Sequence, residues 1–166
     1  MASHLVEVND LSPSQLCHYI EMKQYAPIKQ SLELLDSYAK DLQHNDESME
    51  RGQLETLLFV RLKDEISQVM RNDQIIIFPL INKHQEKGIQ GALQLPLSMI
   101  RDKNKKIMHI LEKFRVIANS YILKPEWNNN ERLFFEELFT LDQMITQAIY
   151  LKENVLIPKM MKENDE

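Results

Sequence analysis

The chain has one cysteine, three glycines and no long apolar run, and each shortage excludes a class of protein. With Cys17 alone there is neither an internal disulfide nor a thiolate metal cluster. Three glycines and six prolines are too few to turn the hairpins of a many-stranded β protein. No apolar segment approaches the ~18–20 residues that span a bilayer. Met1-Ala2-Ser3-His4 lacks the charged-then-apolar pattern of a secretory signal. Basic charge is scarce too. The net charge of −5 is the wrong sign for displacing phosphate counterions from a nucleic acid or for docking on an anionic membrane. The expectation is a cytoplasmic protein with no nucleic-acid or membrane partner.

What the sequence does contain is helical patterning. The 166 residues, 43 % apolar and 27 % charged, are about one domain and enough to bury a core. Ser12-Pro13-Ser14-Gln15 reads as a helix start, with Ser12 and Gln15 as a capping box and Pro13 in the first turn, where a missing N–H costs nothing. Apolar residues then recur at Leu16, Ile20, Ile28, Leu32, Leu35, Ala39 and Leu42. Pro27 falls inside this run and is expected to kink it or to split off a short leading helix. The polar stretch His44 to Ser48 closes the segment.

A second stripe follows at Leu58, Leu62, Ile66, Val69, Asp73, Ile76 and Leu80, with Pro79 expected to loosen its last turns. Residues 75–81, IIIFPLI, are short and β-branched like a strand, but the helical stripe runs into them and overrides that reading. After a linker from Gln85 to Leu95, Pro96 opens a third stripe: Leu97, Ile100, Asn104, Ile107, Leu111, Phe114 and Ala118. Lys124-Pro125 ends it. Asn128 to Asn130 offer caps for a fourth stripe, Phe134, Leu138, Leu141, Ile145, Ala148, Lys152 and Val155. The expected architecture is all-α, one domain over 1–166, an antiparallel up-down-up-down four-helix bundle with helices at 13–44, 49–83, 96–121 and 130–163. Asp73, Asn104 and Lys152 are the strongly polar residues on otherwise apolar stripes.

Two segments resemble each other. Asp73-Gln74-Ile75-Ile76-Ile77-Phe78-Pro79 and Lys152-Glu153-Asn154-Val155-Leu156-Ile157-Pro158 each place a charge six positions before a proline. Two helix pairs related by a pseudo-twofold axis would show this pattern.

At these segments the sequence resembles the hemerythrin-like, cation-binding family, and within it the di-iron proteins of iron-centre (iron–sulfur cluster) repair. The resemblance covers roughly residues 10 to 163. It rests on Tyr19-Ile20, Ile77-Phe78-Pro79, Pro96-Leu97 and Glu153 to Pro158. The subfamily carries His-x-x-x-Glu on its second and fourth helices and a further His on its first and third. The resemblance puts these ligand positions at Tyr25, at Val69 and Asp73, at Asn104, and at Ala148 and Lys152. All four histidines are replaced, and of the two carboxylates only the Asp73 position stays acidic. Val and Ala carry no lone pair for iron, and Lys brings positive charge to a cation's place. The sequence therefore implies no metal, no cofactor and no enzymatic activity at this site. The subfamily's small N-terminal Cys-containing domain is not expected either, since the helical pattern begins at Ser12.

Two arrangements are open for the polar residues. Asp73 and Lys152 pair internally, with Tyr25 and Asn104 completing the hydrogen bonds and Val69 and Ala148 filling former imidazole space. Otherwise Lys152 snorkels to solvent and Asp73 is partly wet, which is the more ordinary behaviour.

The histidines are His4, His18, His44, His84 and His109, and no two share an i, i+4 spacing. His44 lies near an additional His of the subfamily, although the ungapped register puts Asp46 there. His109 invites a phosphotransfer reading, but its neighbours Met108, Ile110 and Leu111 lack the small-residue setting a partner domain needs. Tyr25 reads as a packing or hydrogen-bonding residue, the nine methionines as core filler, and Cys17 as a small buried hydrophobe. The functional expectation is a metal-free relative of the repair proteins, a binding or regulatory module for an unknown protein partner, with a homodimer as one form. The alternative is a di-iron protein of oxygen or nitric-oxide stress response, with an unusual ligand set of Asp73, Glu153 and His44. Iron belongs only to that alternative.

Overall fold

The computed structural model describes residues 7–43, 49–84 and 93–162, and all regular structure among them is helical. Four long helices carry it: α1 over residues 13–43, α2 over 49–84, α3 (Gln94–Ile117) and α4 over 129–162. The Ser12 hydroxyl accepts from the Gln15 N–H at 3.2 Å and the Gln15 side chain accepts from the Ser12 N–H at 3.0 Å, which is the expected capping box. Asn128 caps α4, its side chain accepting from the Glu131 N–H at 2.9 Å.

The stripes of α1, α3 and α4 all face one shared hydrophobic core. Within it Phe59 meets Phe134 edge-on at 6.1 Å, and Trp127 stacks on Phe135 at 4.4 Å. No helix among the described residues is long and apolar enough to cross a membrane. His4 and His44, Asp46, and most of the Gln85–Leu95 linker lie outside the described residues.

Pro27, Pro79 and Pro158 neither split nor end their helices. Each is preceded by one wide π turn: Glu21–Tyr25, Asp73–Ile77 and Lys152–Leu156. The N–H groups of Ala26, Phe78 and Ile157 reach back five residues to the carbonyls of Glu21, Asp73 and Lys152. In a regular turn the proline ring would strike the carbonyl four residues earlier and leave it without a donor. Widening the turn ahead of the ring relieves the clash and keeps the helix going.

The extra residue also moves the inward face. In α2 the stripe runs Val69, Asp73, Ile77, Ile81, not through Ile76 and Leu80. Ile76 is 51 % exposed whereas Ile77 is 1 % exposed, and Leu80 is only half-buried. Earlier in the same helix Phe59 is buried and Leu58 packs partly against the core.

The third helix stops at Ile117, four residues before its expected end. Asn119, Ser120 and Tyr121 then take φ values of 51°, 56° and 62°. Three successive non-glycine residues in the left-handed region cost roughly 1–2 kcal/mol each through Cβ–carbonyl crowding. The turn is held by Tyr121 N–H to Ala118 O at 2.9 Å and Ile122 N–H to Asn119 O at 3.1 Å. Pro96 lies in the first turn of α3, which opens two residues earlier, at Gln94.

Candidate functional site

The three π turns bring Tyr25, Asp73 and Lys152 together in the core. Asp73 and Lys152 are the first residues of their π turns, and Tyr25 is the last residue of its own. The Lys152 ammonium donates to Oδ2 of Asp73 at 3.0 Å, with the two side chains 1 % and 2 % exposed. The Tyr25 hydroxyl donates to the same oxygen. Lys152 Nζ also sits 5.7 Å from the centre of the Tyr25 ring, a cation–π approach. Tyr25 in turn stacks on Phe78 at 6.0 Å. Lys152 therefore does not snorkel. The wide turn that begins at Lys152 lies within α4, and the rest of the helix continues beyond it, so its stem points into the core and the ammonium meets a carboxylate there.

Tyr25, Val69, Asp73, Asn104, Ala148 and Lys152, the positions that the resemblance singles out, are all buried. Val69 and Ala148 precede Asp73 and Lys152 by one helical turn. They contribute only apolar surface. Asn104 is in the core but neither its amide nitrogen nor its amide oxygen has a hydrogen-bond partner among the described residues. It lines a cleft of about 270 Å³ with Lys105, His109, Glu112 and Glu153. Among the described residues no three His, Cys, Asp or Glu side chains converge to hold a metal ion.

Burial and the facing carboxylate push the Tyr25 hydroxyl well above its ordinary pKa of 10.0, since a phenolate there would be desolvated beside Asp73. The Cys17 thiol is raised in the same way, by burial first and then by Glu21 and Asp73. Cys17 is buried, as expected, and has no thiolate character at neutral pH. Chemically the site is a closed electrostatic unit. Oδ2 of Asp73 accepts from both Tyr25 and Lys152.

A second polar centre escaped the sequence reading. Asp142 on α4, 4 % exposed, accepts from Arg115 Nε at 2.9 Å, Arg115 Nη2 at 2.7 Å, Tyr121 OH at 2.8 Å and Thr146 Oγ1 at 3.1 Å. The signal was available, because Asp142 is four residues after Leu138 and three before Ile145 and so shares their face. The Asp142 bond, then its charge, raise Arg115's pKa against the opposing effect of partial burial. His109 and His18 are exposed, and His109 lies 3.9 Å from Glu112.

Glu21, six residues before Pro27, repeats the spacing of Asp73 to Pro79 and of Lys152 to Pro158. The spacing of a charge six positions before a proline thus occurs at all three π turns. No protein-family model matches the chain, and no curated protein matches it.

Proposed function

We propose that this chain is an antiparallel four-helix bundle of the hemerythrin-like kind whose metal centre has been replaced by a buried ion pair, and that it acts as a non-catalytic binding or regulatory module. One observation carries the reading: the Lys152 ammonium, 3.0 Å from Asp73 in the core, supplies a fixed positive charge where the resemblance places iron. The donor set does not fit a di-iron centre. Val69 and Ala148 have no lone pairs to give, Lys152 is a cation, and the Asp73 carboxylate is engaged by Lys152 and Tyr25. Single π turns are frequent at functional sites, and three of them here carry Tyr25, Asp73 and Lys152. A protein partner in the cytoplasm, or a second copy of the chain, is the kind of target such a module serves.

The test is metal content and visible absorption after incubation with ferrous iron under anaerobic conditions. The expected protein is colourless, retains no iron after desalting and unfolds at the same temperature with or without chelator. Near-stoichiometric iron with a ligand-to-metal band would overturn the reading and restore the di-iron alternative.

A further inference from the structure

Between the left-handed turn after α3 and the outer face of α4 runs an open groove of about 690 Å³, within the size range of small-molecule sites. Its α4 wall is a single face: Phe139, Gln143, Gln147 and Tyr150 follow at intervals of four, four and three. All four are exposed, Phe139 at 43 % and Tyr150 at 59 %. Tyr121 packs beside Phe139, the two ring centres 5.4 Å apart, and extends the same aromatic patch. Tyr121 is held there by a backbone conformation that a bulky residue avoids, and its hydroxyl is fixed to Asp142 at 2.8 Å. Strain kept in place by a part-buried hydrogen bond at the rim of this groove marks a preorganised surface.

The chemistry of the lining selects the ligand. Arg115 is paired with Asp142 through two hydrogen bonds, so the floor carries no net charge. A free phosphate or carboxylate gains little from a neutralised guanidinium, and the chain's net charge of −5 repels a polyanion. Aromatic rings offer flat faces, and the amides of Gln143 and Gln147 offer a donor and an acceptor each. We propose that this groove binds a small, uncharged, planar heteroaromatic molecule with donors and acceptors on its edge, of the nucleobase or nucleoside class. The ring stacks on the outer face of Phe139, and the glutamine amides pair with its edge. This site is separate from the buried ion pair and does not depend on whether the core holds metal.

The experiment is ligand-observed saturation-transfer NMR on the full chain with adenosine and guanosine, and with adenosine monophosphate as the charged comparison. Gln147→Ala changes an exposed side chain and should leave the far-ultraviolet circular dichroism and the melting temperature as in the parent, and Phe139→Ala, which also removes a ring contact with Tyr121, should keep the parent's far-ultraviolet circular dichroism. The expected result is saturable nucleoside binding, weakened about tenfold or more in Phe139→Ala, the range for loss of one base–aromatic stack. The monophosphate should bind no better than the nucleoside. Absence of saturable binding, or equal binding in Phe139→Ala, overturns the proposal. So does tighter binding of the monophosphate, which would make the groove an anion site. A shift of Phe139→Ala from dimer to monomer in sedimentation, without nucleoside binding in the parent, would overturn it in favour of an interface between copies.

Discussion

Lys152 and Asp73 stand at equivalent places in two different helices, each opening a π turn and each six residues before a proline, and their side chains meet at 3.0 Å out of contact with solvent. The pair is therefore set by backbone geometry as much as by charge. Removing one partner strands the other. Lys152→Met is expected to lower stability by about 3–5 kcal/mol, because an unpaired carboxylate remains buried. The triple variant Lys152→Met, Asp73→Leu, Tyr25→Phe removes all the polar groups of the unit and should recover most of that loss. Chemical denaturation of the two variants decides. A single variant as stable as the parent would mean that the pair is not buried in solution.

The phase shift in α2 makes a sharp contrast between neighbours. Ile76→Glu should change stability by no more than about 0.5 kcal/mol, as exposed substitutions do. Ile77→Glu puts a charge into the core and should cost about 3 kcal/mol or more. Equal effects in thermal unfolding, or the reverse order, would rule out the wide turn at Asp73–Ile77.

Stability should fall on the alkaline side. Cys17 and Tyr25 ionise in the unfolded chain near their ordinary values of 9.0 and 10.0, and in the folded protein both are raised by burial and by Asp73. Tyr121 is raised as well, by burial and by its bond to Asp142. Above its ordinary value each group keeps its proton only when folded, so the unfolded state binds fewer protons. Each then removes about 1.4 kcal/mol per pH unit until its folded pKa is reached. The melting temperature should be level from pH 7 to 8 and drop from about pH 9 upward. Tyr25→Phe should flatten part of that slope above pH 10. A pH-independent midpoint up to pH 11 would contradict the burial of these groups.

Asn104 presents an amide without a partner among the described residues at a buried position. Replacing an unsatisfied buried amide with an apolar residue of similar volume removes its desolvation penalty. Asn104→Leu is therefore expected to raise stability by about 1–2 kcal/mol in urea unfolding. A loss of similar size would show instead that the amide is hydrogen-bonded in solution.

Much of the helical framework was legible in the residues themselves. Local chemistry settles it: Ser12 with Gln15, Asn128, and apolar residues at helical intervals act through neighbours a few positions away, so their spacing suffices. The same is true of the inward direction of Asp73, Asn104 and Lys152, which follows from sharing a face with Val69, Ile107 and Ala148.

Tertiary structure decided the rest. A proline inside a helical run can kink it, end it or sit beyond a widened turn, and the neighbouring residues do not say which. The packing of Ile77, Phe78 and Ile81 into the core favours the widened turn, and that moves Ile76 out to solvent. Whether Lys152 reaches water or Asp73 depends on a residue 79 positions away. The left-handed turn at Asn119–Tyr121 is unfavourable on its own terms, and its hydroxyl anchor on Asp142 exists only once α3 and α4 are side by side. Short-range preferences are written in consecutive residues, whereas a buried charge's partner and a strained turn's support come from chain segments that meet only in the folded core.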